Sequence, residues 1–134
     1  GKIVVSARRI AAGSDETLEL GDISVQRDWG WAAEYVEAMW IMLQQKTLAD
    51  YVIATGNTCA LRDMVAEAFS SLGLNWLDHV SYKESLRRPL DAPVVRANPE
   101  KAKRMLNWQA STYGAKVARR MVVEQISLMA KEAS

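Results

Sequence analysis

Apolar residues recur at Ala32, Tyr35, Val36, Met39, Trp40 and Leu43, the i, i+3, i+4, i+7 spacing of one helical face. They predict a helix over Trp31 to Gln45 with that stripe turned inward. The same segment carries Trp31, Ala38, Ile41 and Met42 on its other faces. A helix apolar nearly all round needs cover on more than one side. Ile3, Ala7, Ile10 and Ala11 mark the inner face of a first helix over Lys2 to Ala12, with Gly13 as its stop. Leu61, Met64, Val65, Ala68, Phe69 and Leu72 mark another helix, stopped by Gly73. Short extended runs stand at Thr17 to Leu20, Ile23 to Gln26, Tyr51 to Thr55 and Val80 to Tyr82. The first two flank a Gly21-Asp22 turn signal, which predicts a hairpin or a small ladder. Lys83 to Ala97 reads as a polar loop, with Pro89, Pro93 and a short extended piece at Val94 to Arg96. Asn98-Pro99 starts a short helix burying Ala102, Met105 and Leu106, and Thr112 is placed to cap a last helix ending near Ala130. Strand, turn and helix in succession predict an α/β fold. The expected architecture is a small sheet of three to five strands flanked by about five helices, in one domain over 1–134.

Composition narrows the class without changing that picture. The 134 residues are 49% hydrophobic and 25% charged, ordinary for a globular chain that buries a core. No apolar run approaches a membrane span, no signal peptide opens the chain, and Cys59 is the single cysteine. The expectation is a cytoplasmic protein with no disulfide. The net charge of +1 hides an asymmetry. Residues 1–82 carry 6 basic and 11 acidic side chains, a net −5, whereas residues 83–134 carry 11 basic and 5 acidic, a net +6. A basic half attracts phosphates, although salt bridges between the halves account for such charges equally simply. No nucleic-acid-binding motif accompanies it.

Candidate chemistry concentrates where a strand-like run hands over to the Trp31–Gln45 helix, at Arg27-Asp28-Trp29-Gly30. Such junctions commonly hold ligand-binding residues in α/β proteins. The stretch from Arg27 to Trp40 closely resembles the Arg-Asp-Trp-Gly and Asp-Tyr-Val-Glu-Ala-Met-Trp signature of the GDP-mannose 4,6-dehydratases, with Glu34 in place of the family's aspartate. These are NADP-dependent members of the extended short-chain dehydrogenase/reductase superfamily. Leu18 to Asp22, Met42 to Gln45, Asp50 to Gly56 and Asn98 to Lys103 carry the resemblance further, in the family's order and spacing. The chain thus resembles the C-terminal, substrate-binding part of such an enzyme.

The resemblance implies that four residues, Lys2, Arg27, Arg88 and Asp91, contact a GDP-sugar. An arginine offers a rigid fork of donors to phosphate or ribose oxygens, and a carboxylate accepts from ribose hydroxyls or the guanine edge. Each position also has a plainer reading. Lys2 is then solvated, Arg27 and Asp28 form a local ion pair, Arg88 is a surface charge, and Asp91 is shorter than the family's glutamate. The sequence departs from the family pattern mainly in one loop. Arg87 stands where an aromatic residue precedes Arg-Pro, and Asn107 replaces the glycine of Leu-Gly-Trp.

In the intact family, hydride passes from sugar C4 to NADP, water is lost across C5–C6, and hydride returns to C6. That cycle requires a glycine-rich phosphate turn and a Tyr-x-x-x-Lys pair. The glycines here form no such turn, and Met39, Thr55, Leu86 and Val117 lie four residues after the tyrosines. The expectation is therefore no catalytic residue, no cofactor bound by this chain alone and no turnover without a separate NADP-binding half. His79 and Cys59 make no metal spacing, and Cys59 reads as an inert thiol. Two functions stay open: the GDP-sugar-binding portion of a dehydratase, or a non-catalytic homodimeric module derived from it.

Overall fold

The computed structural model describes residues 1–132. Among these residues five α-helices and four short strands succeed one another as α1 (Lys2–Ala11), β1 (Leu18–Leu20), β2 (Gln26–Asp28), α2 (Ala32–Leu43), β3 (Thr58–Ala60), α3 (Leu61–Ser70), β4 (Val80–Tyr82), α4 (Glu100–Leu106) and α5 (Ala115–Glu132). The fold class is α/β, as the alternation of patterns predicts. None of the helices is long and apolar enough to cross a membrane among the described residues.

Helix α3 is the pivot. Met64 and Ala68 pack with Val4 of α1 and with Val117, Ala118 and Val122 of α5. One residue round the helix, Val65 and Phe69 pack with Ala7 and Ile10 of α1 and with Leu18 and Leu20 of β1. Phe69 is fully buried and stacks on His79, so the single histidine serves the core. The start of α3 is fixed by Asp63, whose carboxylate accepts the Ala60 N–H at 3.1 Å and suits the positive end of the helix dipole. Helix α1 buries Val4, Ala7 and Ile10, so its inner face is turned slightly from the expected one and Ala11 is exposed. Gly13 then adopts φ +96°, a conformation that favours glycine.

The strands do not make the expected hairpin. β1 runs parallel to β4, with Leu18 opposite Val80, and β2 runs antiparallel to β3, with Gln26 opposite Ala60. The turn after Gly21 sends the chain from one ladder to another. Asp22 closes that turn by accepting from the Ser24 N–H and hydroxyl. The other edge of β2 takes the 93–95 segment: the Gln26 N–H donates to the Pro93 carbonyl at 2.8 Å, and the Val95 N–H donates to the Gln26 carbonyl at 3.0 Å. The extended piece expected at Val94 is therefore a bridge onto β2.

Two elements differ from expectation around α2. Most of the stripe read as its inner face is exposed: Val36 is 63%, Met39 57%, Trp40 63% and Leu43 80% exposed. Ala38 is buried instead, and Tyr35, Ile41 and Met42 pack with Ala102, Leu106, Trp108 and Ala110 in a separate small core. Periodicity identified a helix with two apolar faces, and α4 covers the smaller one. Residues 51–55, expected as a buried strand, form no ladder. They run irregularly over α4, where the Lys101 ammonium donates to the Asp50 carbonyl and lies 5.1 Å from the Tyr51 ring centre.

Helix α4 ends at Asn107, which adopts φ +51°. Asparagine tolerates this left-handed geometry better than other side chains, so the lost glycine of Leu-Gly-Trp leaves the turn intact. Met105 is exposed, not buried. Thr112 does not cap α5, which starts three residues later. The Ser111 and Thr112 N–H groups donate instead to Glu34 of α2.

Candidate functional site

Successive residues of a strand face opposite ways, and β2 uses this to part its two charges. Asp28 turns toward the 55–56 segment, accepting the Thr55 N–H at 3.0 Å and the Gly56 N–H at 2.8 Å. The Tyr35 hydroxyl approaches it at 3.5 Å, across Gly30. A Cβ at Gly30 would lie 2.2 Å from that hydroxyl oxygen, so the glycine of Arg-Asp-Trp-Gly is a space requirement. Burial, then the Asp28 carboxylate, pushes the Tyr35 phenol above its ordinary value. Its ring packs edge-on to Trp108. The local Arg27–Asp28 ion pair is not formed.

Arg27 turns the other way, into a cleft of ≈ 390 Å³. One guanidinium nitrogen pairs with Asp91, and another donates to the Gln26 carbonyl at 2.7 Å. Val25, Trp29, Leu61 and Leu86 supply apolar walls, and Arg87, Arg88, Asp22 and Asp91 complete the charged lining. The cleft owes its shape to two loop contacts. The bridge of the 93–95 segment to β2 brings Asp91 over Arg27. The turn at Glu84–Leu86 seats its backbone on Gly21, where a Cβ would lie 2.5 Å from the Leu86 carbonyl oxygen. Pro89 disfavours helical geometry at Arg88.

Of the four residues singled out in the sequence, Arg27, Arg88 and Asp91 therefore share one cleft. Lys2 does not line it. Its ammonium donates to the Glu19 carbonyl at 2.8 Å, beside a second, apolar cavity lined by Ile3, Leu20, Met64 and Met121. Trp29 and Leu61 line both spaces. The Trp29 indole N–H is buried and has no hydrogen-bond partner among the described residues. Two cleft residues, Trp29 and Arg87, were not singled out as ligand contacts. The sequence allows Trp29 to stack on a base but favours a packing role, and only the folded loop shows Arg87 on the same cleft as Arg88.

The other candidate groups have structural roles. The Cys59 thiol is pushed up by burial and by the nearby Asp63 carboxylate, which disfavours the reactive thiolate. No group of three metal-ligating side chains occurs among the described residues. Trp31 lies under the Arg120 guanidinium at 4.6 Å. Beside it, Glu34 accepts the Ser111 hydroxyl at 2.7 Å and N–H at 2.9 Å, and the Thr112 N–H at 3.2 Å.

That carboxylate sets a pH dependence. Burial raises the Glu34 pKa, but the hydrogen bonds from Ser111 and Thr112 outweigh it and leave the value lowered. A lowered carboxylate contributes stability above its unfolded value and loses it as pH falls through the folded one. The stability difference between wild type and Glu34→Ala should thus be largest at neutral pH and shrink as pH falls below the unfolded carboxylate value and through the lowered folded one. Urea unfolding of both chains across that range checks it, and a difference that holds constant to pH 3 would contradict it.

Comparison with known proteins sets these contacts in context. Residues 1–121 match the family model for GDP-mannose 4,6 dehydratase. Over 131 residues the chain is 39% identical to GDP-mannose 4,6 dehydratase 1 of Arabidopsis thaliana, covering 98% of this chain and 36% of that protein. It is 37% identical to the GDP-mannose 4,6 dehydratase of Dictyostelium discoideum over 142 residues, covering 93% of this chain and 40% of that one. The chain thus spans little more than a third of the length of these relatives. Its fold matches RMD from Pseudomonas aeruginosa complexed with NADPH, with a TM-score of 0.75 at 19% identity, covering 92% of this chain and 41% of that one. It equally matches UDP-glucose 4-epimerase from Thermotoga maritima with UDP-glucose, with a TM-score of 0.75 at 19% identity, covering 96% and 40%. At such identities the structural matches speak for the fold.

Proposed function

Because the chain belongs to the GDP-mannose 4,6-dehydratase family, we propose that it supplies the GDP-sugar-binding portion of such an enzyme. Its substrate class is then a guanosine diphosphate hexose, GDP-mannose first. NADP and the proton-transferring residues would come from the part of the enzyme outside these 134 residues, and the chain alone would not turn over. The setting consistent with this chemistry is the cytoplasm.

The observation that supports the reading is the meeting of Arg27, Arg88 and Asp91 on one cleft with apolar walls. Arg88 offers a fork of donors to the charged phosphates and Arg27 one to ribose or sugar oxygens, and Asp91 can accept from ribose or guanine donors. Trp29 and Leu61 offer apolar surface to a base or sugar. Lys2 would join the site only by giving up the Glu19 carbonyl, so it is assigned a lesser part.

Titration calorimetry of the purified chain with GDP-mannose tests the assignment. We expect binding on the order of micromolar, at least about tenfold tighter than UDP-glucose by contacts to the guanine edge. A well-folded chain that binds neither sugar nucleotide would overturn it.

The exposed Val36, Met39, Trp40 and Leu43 favour a second surface in this reading. Contiguous apolar faces of this kind mark interaction sites, here for a separate NADP-binding half or for a second copy of the chain.

A further inference from the structure

The acidic groups lining the cleft are already engaged. Asp91 pairs with Arg27. Asp22 accepts the Ser24 N–H at 2.8 Å and the Ser24 hydroxyl at 2.6 Å. Arg27 in turn has its guanidinium committed to Asp91 and to the Gln26 carbonyl. Arg88 has neither an ion pair nor a side-chain hydrogen bond among the described residues. Arg87 has one ion pair, to the exposed Glu84 at 3.5 Å, and pairs of that kind contribute little. Two adjacent arginines thus line a concave site without a strong anionic partner of their own.

Adjacent residues on a straight strand would point apart. Here the chain leaves the turn at Glu84–Leu86 through the extended Arg87 and turns again over 88–91, where the Asp91 N–H donates to the Arg88 carbonyl at 3.2 Å, and Arg87 and Arg88 line the same cleft. The bend is held from below: the Arg87 N–H donates to the Glu84 carbonyl at 2.9 Å, and the Leu86 carbonyl rests on Gly21.

We propose that Arg87 is a ligand-binding residue, forming with Arg88 a two-arginine grip on a diphosphate. This deepens the proposed function and rests on the cleft taking a diphosphate. Each guanidinium would donate to one phosphate, while Arg27 and Asp91 stay paired and face the remainder of the ligand. Arg87 then supplies grip where Arg88 alone would leave one of the two phosphate charges without a cationic partner. The binding is strongly salt-dependent, because the cations reach the ligand from an open rim.

The probe is inorganic pyrophosphate, titrated by calorimetry into wild type, Arg87→Gln, Arg88→Gln and the double variant at low and high sodium chloride. Both positions are on the surface, and circular dichroism verifies each fold. Each single variant is expected to weaken pyrophosphate about tenfold at low salt, and the double variant to abolish it. Unchanged binding by Arg87→Gln, or no pyrophosphate binding by wild type, overturns the grip. A chain that grips pyrophosphate through both arginines yet gains nothing from GDP-mannose would support the grip while overturning the GDP-sugar assignment.

Discussion

Replacing Asp28 with alanine is expected to destabilise the fold by about 3 kcal/mol, since hydrogen bonds to a charged acceptor contribute about 1.5–3 kcal/mol each and removing it orphans partly buried donors. The two backbone donors are the N–H groups of Thr55 and Gly56, and Thr55 is buried. They belong to the 44–57 stretch, which has neither helix nor strand of its own. Apart from Asp28, it is held by the Lys101 ammonium on the Asp50 carbonyl and by Tyr51 and Ile53 against the small core beneath α2. Without the carboxylate the link between β2 and this stretch is lost, and β3 follows it directly in the chain. In thermal unfolding the loss corresponds to roughly 10 °C for a chain of this size. Asp28→Asn keeps one acceptor oxygen and should lose about half as much. Urea unfolding of the three chains measures both effects. A change within about 0.5 kcal/mol for the alanine variant, the range of ordinary surface substitutions, would mean that the segment is held by something other than Asp28.

Replacing Arg27 with alanine is expected to weaken GDP-mannose binding by about ten- to a hundredfold, the equivalent of one to two charge-assisted hydrogen bonds. Its effect on stability should be small, about 1 kcal/mol, because the Arg27–Asp91 pair is only partly buried and water from the cleft can replace the guanidinium on Asp91. The contrast with Asp28 is the useful part. The neighbouring residues of one strand should separate cleanly, Arg27→Ala in binding and Asp28→Ala in folding. Calorimetry and urea unfolding on the same two proteins read both quantities. Equal affinity of Arg27→Ala and wild type for GDP-mannose would remove Arg27 from the site.

Most helices were legible because each buries a stripe that repeats every three to four residues. Val4, Ala7 and Ile10 of α1 and Met64, Val65, Ala68 and Phe69 of α3 are local patterns, and the core they enter is the one they imply. Helix α2 shows the limit of such reasoning. Its longer apolar stripe lies outward and its shorter one lies on α4, because periodicity ranks faces by composition and says nothing of what stands opposite. Asp28 was hidden for a related reason. Its partners are backbone N–H groups of Thr55 and Gly56, which every non-proline residue carries and no sequence pattern marks.

The cleft divides in the same manner. Arg27, Arg88 and Asp91 could be singled out by resemblance, and Trp29 and Arg87 came to the cleft only through the fold. By itself the sequence determined the helical stripes, the glycine stops, the α/β alternation and the family signature, all of them carried by residues a few positions apart. Tertiary structure alone decided that β1 pairs with β4 and not with β2, that the two charges of Arg27-Asp28 part to opposite sides, and that the Glu84–Asp91 loop folds onto Gly21 and β2. These depend on contacts between residues up to 69 positions apart, such as Gln26 with Val95. The physical reason is that such contacts are selected by which surfaces bury one another best, and no single segment contains both surfaces.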